Sequence, residues 1–277
     1  MTRLWSRGWL VVPFILAGAP LASAAPVRMP MPGLLNSVQG QVTFDGHRAL
    51  APIRSARLRT RQAIKTQHGK AELLLTPGSY LRIGDNSEAQ MLSRTLENTS
   101  ARVVKGTALL DAEAGFKNDL TVFMDGTRTR IDKKGLYDFN ANRETIGVLR
   151  GKATVYQGDS RVTLKNKHQL SIGGQPSMNI RKLNQRAFKS STLYRWNKLR
   201  NRYESRAKRS VQEAIAQSGH WYGPGWYWSN FWGFYTYLPS VGMYYSPYWG
   251  PDSGPYFSPW GWNGWGWGWD DDDEGDG

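Results

Sequence analysis

The chain has 277 residues, no cysteine, 13 Trp and 13 Tyr, and a formal net charge of +14. A chain of that length buries a core without covalent staples, and the lack of cysteine excludes disulfides, thiolate-bound zinc and a thiol nucleophile. So basic a balance points to an anionic partner.

Residues 1–24 read as an export signal. Arg3 and Arg7 supply a positive start, Trp9 to Ala19 an apolar run, and Ala22-Ser23-Ala24 the small-x-small exit that a signal peptidase cuts. The alternative is an uncleaved anchor, but the run falls short of the roughly 20 residues that span a bilayer core. Export is therefore expected, to the periplasm, the cell surface or the medium. An exported protein meets lipid headgroups, phosphorylated wall polymers and lipopolysaccharide before nucleic acid, so nucleic acid is not expected as a partner. Residues 25–35 read as a linker.

From residue 36 to 180 the pattern has period two. Gln41 to Phe44, Ala71 to Leu75, Tyr80 to Ile83, Ala101 to Val104 and Leu120 to Phe123 alternate polar and apolar. So do Tyr137 to Phe139, Thr145 to Leu149, Ala153 to Tyr156 and Arg161 to Leu164. Such alternation means half-buried strands. Asp45-Gly46, Pro77-Gly78, Gly84-Asp85-Asn86, Asp125-Gly126, Lys134-Gly135 and Gly158-Asp159 mark turns between them. The expected fold is an all-β core of stacked short strands, either a β-solenoid or sandwich-like. Glycines at 40, 69, 106 and 151 each precede an alternating run. Their unequal spacing argues for recurring turn-strand units rather than a strict repeat.

The stretch Ile64 to Ile83 resembles the start of a FecR domain: a Thr, a Gly a few places on, an alternating strand, a Gly turn and a second strand. The resemblance continues through Val103-Val104-Lys105-Gly106-Thr107-Ala108 and closes at Val148-Leu149-Arg150-Gly151-Lys152-Ala153-Thr154-Val155. It spans about Asn36 to Leu164. One departure is Gly135-Leu136-Tyr137-Asp138-Phe139, which lacks the Thr of the family's late Gly-Thr-x-Phe. FecR-like regulators place a cytoplasmic anti-sigma segment and one membrane helix before a periplasmic domain that receives a signal from an outer-membrane transporter. Here the export signal stands first, so the resemblance implies an envelope sensor or scaffold domain without the sigma-factor arm.

Residues 181–218 change character. Leu183, Ala187, Leu193, Trp196, Leu199, Tyr203, Ala207, Val211, Ala214 and Ile215 recur at three- and four-residue steps, the spacing of one amphipathic helix. Eleven Arg or Lys against Glu204 and Glu213 give the segment a formal charge of +9. Two readings stand side by side: a helix on an anionic lipid or polymer surface, or a solvated helix whose apolar stripe covers one end of the β domain.

Residues 219–269 form a Trp/Tyr/Gly/Pro-rich tail, with 21 aromatic residues between positions 221 and 269. Its prolines forbid a long helix or an interior strand, so an irregular segment is expected, packed back in part on the β domain. Gly225-Trp226-Tyr227-Trp228 and Gly233 to Pro239, preceded by Tyr194-Arg195-Trp196, resemble tails of some exported FecR-domain proteins. Trp and Tyr faces suit sugar rings and membrane interfaces alike; a sticky tail with no defined ligand is the third reading. Residues 270–277 are an acidic terminus.

No catalytic pattern stands out. His47, His68, His168 and His220 lack metal-ligand spacing. Asp111 and Glu113 share one strand face, as acids on solvated strands often do, and residues 84–88 lack the spacing of a calcium loop. The expectation is a non-enzymatic protein without a cofactor that acts by binding an envelope protein, an anionic envelope polymer or lipid surface, or a glycan. The candidate contact residues are Arg195, Arg202, Arg206, Lys208 and Arg209 on the helix and Trp226, Trp228, Trp232 and Trp249 in the tail. The competing class is a structural or assembly protein of the cell surface.

Overall fold

The structure is a computed structural model that describes residues 32–44, 46–49, 56–112, 119–173, 178–218, 225–238, 245–246 and 250–251. The export signal, the acidic terminus and Trp249 lie outside them. The strands run β1 (Leu34–Phe44), β2 (His47–Arg48), β3 (Ala63–Leu74), β4 (Ser79–Ile83), β5 (Glu88–Arg94), β6 (Asn98–Lys105) and β7 (Thr107–Ala112). They continue as β8 (Asp119–Met124), β9 (Thr127–Ile131), β10 (Gly135–Asn140), β11 (Thr145–Arg150), β12 (Lys152–Gln157), β13 (Ser160–Lys165), β14 (His168–Ser171) and β15 (Asn179–Lys182). Two helices follow, α1 (Gln185–Ser190) and α2 (Thr192–Ser218), then β16 (Gly225–Ser229), β17 (Phe234–Leu238), β18 (Tyr245–Ser246) and β19 (Gly250–Pro251).

The first fifteen strands join one sheet, in the order β13-β12-β9-β8-β6-β5-β3-β4-β7-β10-β11-β14-β15, with β1 and β2 branching from β3. Among the described strands every pairing is antiparallel except β6 with β8. The sheet curls until β13 packs beside β11 and β14, so it is nearly closed and barrel-like. This corrects the solenoid and the sandwich. A solenoid stacks parallel rungs and a sandwich needs two sheets, whereas here hairpins such as β8–β9, β10–β11 and β12–β13 join with non-sequential pairings into one almost wholly antiparallel sheet. At Asp125-Gly126 both turn residues have positive φ (44° and 72°), which matches the right-handed twist of a two-residue hairpin.

One face of every long strand points inward. Leu73, Leu81, Ile83, Val103, Leu110, Val122, Tyr137, Phe139, Ile146, Val148, Val155 and Leu164 belong to a single buried cluster. Burial of that much apolar surface, at about 25 cal/mol per Å², is the main force holding the barrel.

Gly40 and Gly69 do not open strands. They face each other across β1 and β3, beside a bulge that spans Gly40 and Val42. Gly40 has φ +73°, and a Cβ on Gly69 would lie 2.6 Å from the Gln39 carbonyl oxygen. The backbones approach so closely that only hydrogen fits. Gly106 and Gly151 do stand at strand starts, before β7 and β12.

The single helix expected over 181–218 is broken. Arg181 and Lys182 finish edge strand β15, Asn184 caps α1 by accepting from the Ala187 amide, and Ser191 is extended between the helices. The tail is not wholly irregular either. Its Gly225–Leu238 portion is an antiparallel hairpin with Trp226 opposite Tyr237 and Trp228 opposite Tyr235. No proline falls inside either of these two strands, and Gly233 takes the positive φ (67°) of the turn.

Candidate binding surface on the C-terminal cap

Helices α1 and α2 and the β16–β17 hairpin together cover the outer face of β3, β4, β7, β10 and β11. Leu109, Leu136 and Leu149 of the sheet pack against Leu183, Phe188, Leu193 and Trp196. Leu34, Leu74 and Tyr80 pack against Trp226 and Tyr235 of the hairpin. The back of the hairpin, Tyr227 and Leu238, closes on Val211 and Ile215 of α2.

Between these apolar patches lies a buried ionic row. Glu72, Arg82 and Asp111 stand side by side on β3, β4 and β7, because Glu72 pairs with Arg82 and Tyr80 with Asp111. All three are 0% exposed. Arg82 donates to Glu72 at 2.6 Å, to Asp111 at 2.8 Å and to Glu204 of α2 at 2.6 Å, and also to Asn197. Arg200 adds a second guanidinium on Glu72 at 2.7 Å, and Asn201 donates to Asp111 at 2.7 Å. Asn36, at a bulge in β1 that turns its side chain outward, donates to Glu72 at 2.7 Å and accepts from the Tyr235 amide at 2.8 Å. The row thus ties sheet, helix and hairpin together. Burial alone would raise the Glu72 carboxyl, but Arg200 and Arg82 outweigh it and hold that group well below the usual carboxylate range. Burial likewise disfavours the Arg82 charge, and Glu204, Glu72 and Asp111 more than restore it. Among the described residues no group of His, Asp or Glu is arranged to hold a metal ion; this cluster is centred on a cation.

Asp138 behaves differently. It is half-buried on the same outer face of β10, opposite Gly147, where a Cβ would touch both Asp138 and Leu183. Burial pushes its carboxyl up to about 7, and Arg143 offsets this only in part. A carboxyl raised on folding weakens the fold as pH climbs from its unfolded value of about 4 to its folded one. Asp138→Asn should therefore gain on the order of 2 kcal/mol at pH 8 and nothing at pH 4, read from urea midpoints at the two pH values. An equal gain at both would mean that Asp138 is not held protonated.

The solvent side of α2 is basic. Arg195, Leu199, Arg202, Arg206 and Arg209 are exposed and follow each other at alternating steps of four and three, so they form one stripe about 21 Å long at 1.5 Å per residue. Four of the five candidate helix cations are thereby brought together. The fifth, Lys208, is buried on the opposite side, one turn beyond Glu204. Of the candidate tryptophans, Trp226 is 1% exposed against Tyr80, so its faces are not available to a ligand. Trp228 is half-buried against Tyr235, and Trp232 stacks on Tyr203 of α2 with ring centroids 5.3 Å apart. Phe231, which the sequence pattern did not single out, is 84% exposed at the hairpin tip and edge-on to Trp232. Arginine stripe and aromatic tip therefore adjoin.

No family model and no curated protein matches the chain. Two crystal structures of a candidate anti-sigma factor from Parabacteroides distasonis are similar to it in part. Each superposes with a TM-score of 0.38, at 16% and 15% identity, over 44% of this chain and 59% of theirs.

Proposed function

We propose that this chain is a FecR-like β protein of the cell envelope that works without catalysis, by binding, as a sensor or scaffold. The FecR-like pattern of residues 36–164 and the all-β barrel support the family reading. The observation that carries the binding role is the stripe Arg195–Leu199–Arg202–Arg206–Arg209, held outward on a helix that the ionic row fixes from behind. A charged stripe on a rigid support loses little entropy on meeting an anionic polymer or headgroup surface.

The test is retention of the full chain on three immobilised envelope fractions: peptidoglycan, anionic vesicles and outer-membrane proteins. One anionic fraction should retain it, and less so as salt rises. Replacing Arg195, Arg202, Arg206 and Arg209 together by Gln should lower that affinity by about 100-fold or more, taking somewhat under 1 kcal/mol for each cation near an anionic surface. Undiminished retention would remove the stripe from the function. A second reading, an assembly protein of the cell surface, draws on the exposed Phe231 tip; self-association that resists salt and is lost in Phe231→Ser would favour it.

A further inference from the structure

Among the described residues the cap does not extend over the outer face of β6, β8, β9, β12 and β13, and a second pattern runs across it. Strand register aligns Arg102 with Phe123, Phe123 with Arg128, Arg128 with Tyr156 and Tyr156 with Arg161. Their chain neighbours Ala101, Val103, Val122, Met124 and Val155 point into the core, so all five side chains share the outward face. The row therefore reads Arg–aromatic–Arg–aromatic–Arg. It crosses four strand spacings, about 19 Å. The three arginines are exposed and the two rings half-buried. Among the described residues none of the three arginines makes an ion pair, and the Arg128 guanidinium lies over the Tyr156 ring at 4.1 Å. The nearby Arg130, by contrast, is engaged with Asp132 at 2.9 Å. At the Arg102 end the row opens into a groove of about 350 Å³, lined by Arg102, Val104, Phe123, Asp125, Gly126 and Thr127.

We infer that this row is a binding track for an extended acidic polysaccharide, a chain of sugars bearing carboxylates. The chemistry of each position supports that occupant. Guanidinium forks match carboxylates in a bidentate way. Phe and Tyr faces between them take the apolar faces of sugar rings. The alternation suits a polymer whose acid groups recur along its length, and the partial burial of the rings keeps them in place without a ligand. Asp125, beside the groove, sets a polarity: it repels an acid group there and accepts from hydroxyls. The track lies away from the α2 stripe and does not depend on it.

The experiment is affinity electrophoresis of the full chain through gels containing polygalacturonate. Neutral dextran, inorganic polyphosphate and single-stranded oligothymidylate serve as comparison gels. Polygalacturonate should retard the protein and dextran should not. Exchanging Arg102, Arg128 and Arg161 together for Gln should weaken retardation by about 30-fold, at the scale of three exposed charge contacts. Tyr156→Ala should weaken it by about tenfold while leaving polyphosphate retardation unchanged. All four positions are at least partly exposed, and circular dichroism checks that each variant is folded. Wild-type retardation in the arginine triple variant would overturn the inference. So would polyphosphate binding as tight as polygalacturonate, which would leave charge alone. Tighter binding to oligothymidylate than to polygalacturonate would reassign the track to single-stranded nucleic acid.

Discussion

Arg82→Met should cost about 3–5 kcal/mol of folding stability, the range for breaking a buried ion pair from one side. The substitution keeps the apolar stem, ends where Nε stood, and leaves Glu72, Asp111 and Glu204 around a position that no longer carries charge. Arg200 still reaches Glu72, but Asp111 and Glu204 lose their guanidinium partner. A carboxylate in that position must either stay charged without compensation or take up a proton, and both are unfavourable at neutral pH. Urea midpoints at an unchanged slope measure the loss. Arg130→Met is the control, because its own side chain is 45% exposed and Asp132 keeps a second donor in Thr154, so less than about 1 kcal/mol should go. If Arg82→Met cost no more than the control, water would have to reach the row and the cap would not be ionically locked.

Trp226→Ala should cost about 3–5 kcal/mol, the usual range for emptying a buried aromatic site. The ring stands edge-on to Tyr80 at 5.1 Å and to Tyr237 at 5.6 Å, and it closes the apolar patch formed with Leu34, Leu74 and Tyr235. Losing it should also free the hairpin, so limited proteolysis should cut between residues 225 and 238 well before the barrel gives way. Trp226→Phe should keep most of the stability, because packing rather than a hydrogen bond holds the ring: among the described residues its Nε1 has no partner. Phe231→Ala, at the exposed tip, should change stability by less than about 0.5 kcal/mol. Equal losses at positions 226 and 231 would contradict the packing described.

The strands were legible because an inward residue at every second position is a local property. The alternating runs named from the sequence lie in strands, except that Leu75 stands one residue past β3, and the turn signals fall between strands, except that Gly135 already opens β10. The other face was not legible. In Tyr80-Leu81-Arg82-Ile83 the arginine occupies the polar position of a two-residue period, and nothing nearby tells a solvent-facing arginine from one buried under a helix more than a hundred residues later. Asp111, expected on a solvated strand, is buried for the same reason. The helix misled in the same way. Arg200 and Lys208 counted toward the basic charge of the segment and Glu204 against it, yet their spacing of four puts all three on the buried side. The one local sign was that α2 brings Asn197, Arg200, Asn201 and Glu204 to the centre of its apolar stripe, where a purely hydrophobic contact would carry none of them. The aromatic–arginine track was hidden more deeply, since it exists only in the register between strands that are not all neighbours in sequence.

The chain's order gives the ionic row a role while the molecule folds. The barrel strands precede α2 and the hairpin in the chain, so on N-terminus-first emergence their outer face meets water until those later elements follow. A wholly apolar face would be adhesive for that interval, as exposed sheet surfaces are during folding. Glu72, Arg82 and Asp111 keep the middle of that face wet, and they give up their water only when Arg200 and Glu204 arrive to replace it. A polar seam at the heart of the cap thus lets the early-made half of the molecule wait safely for the late-made half.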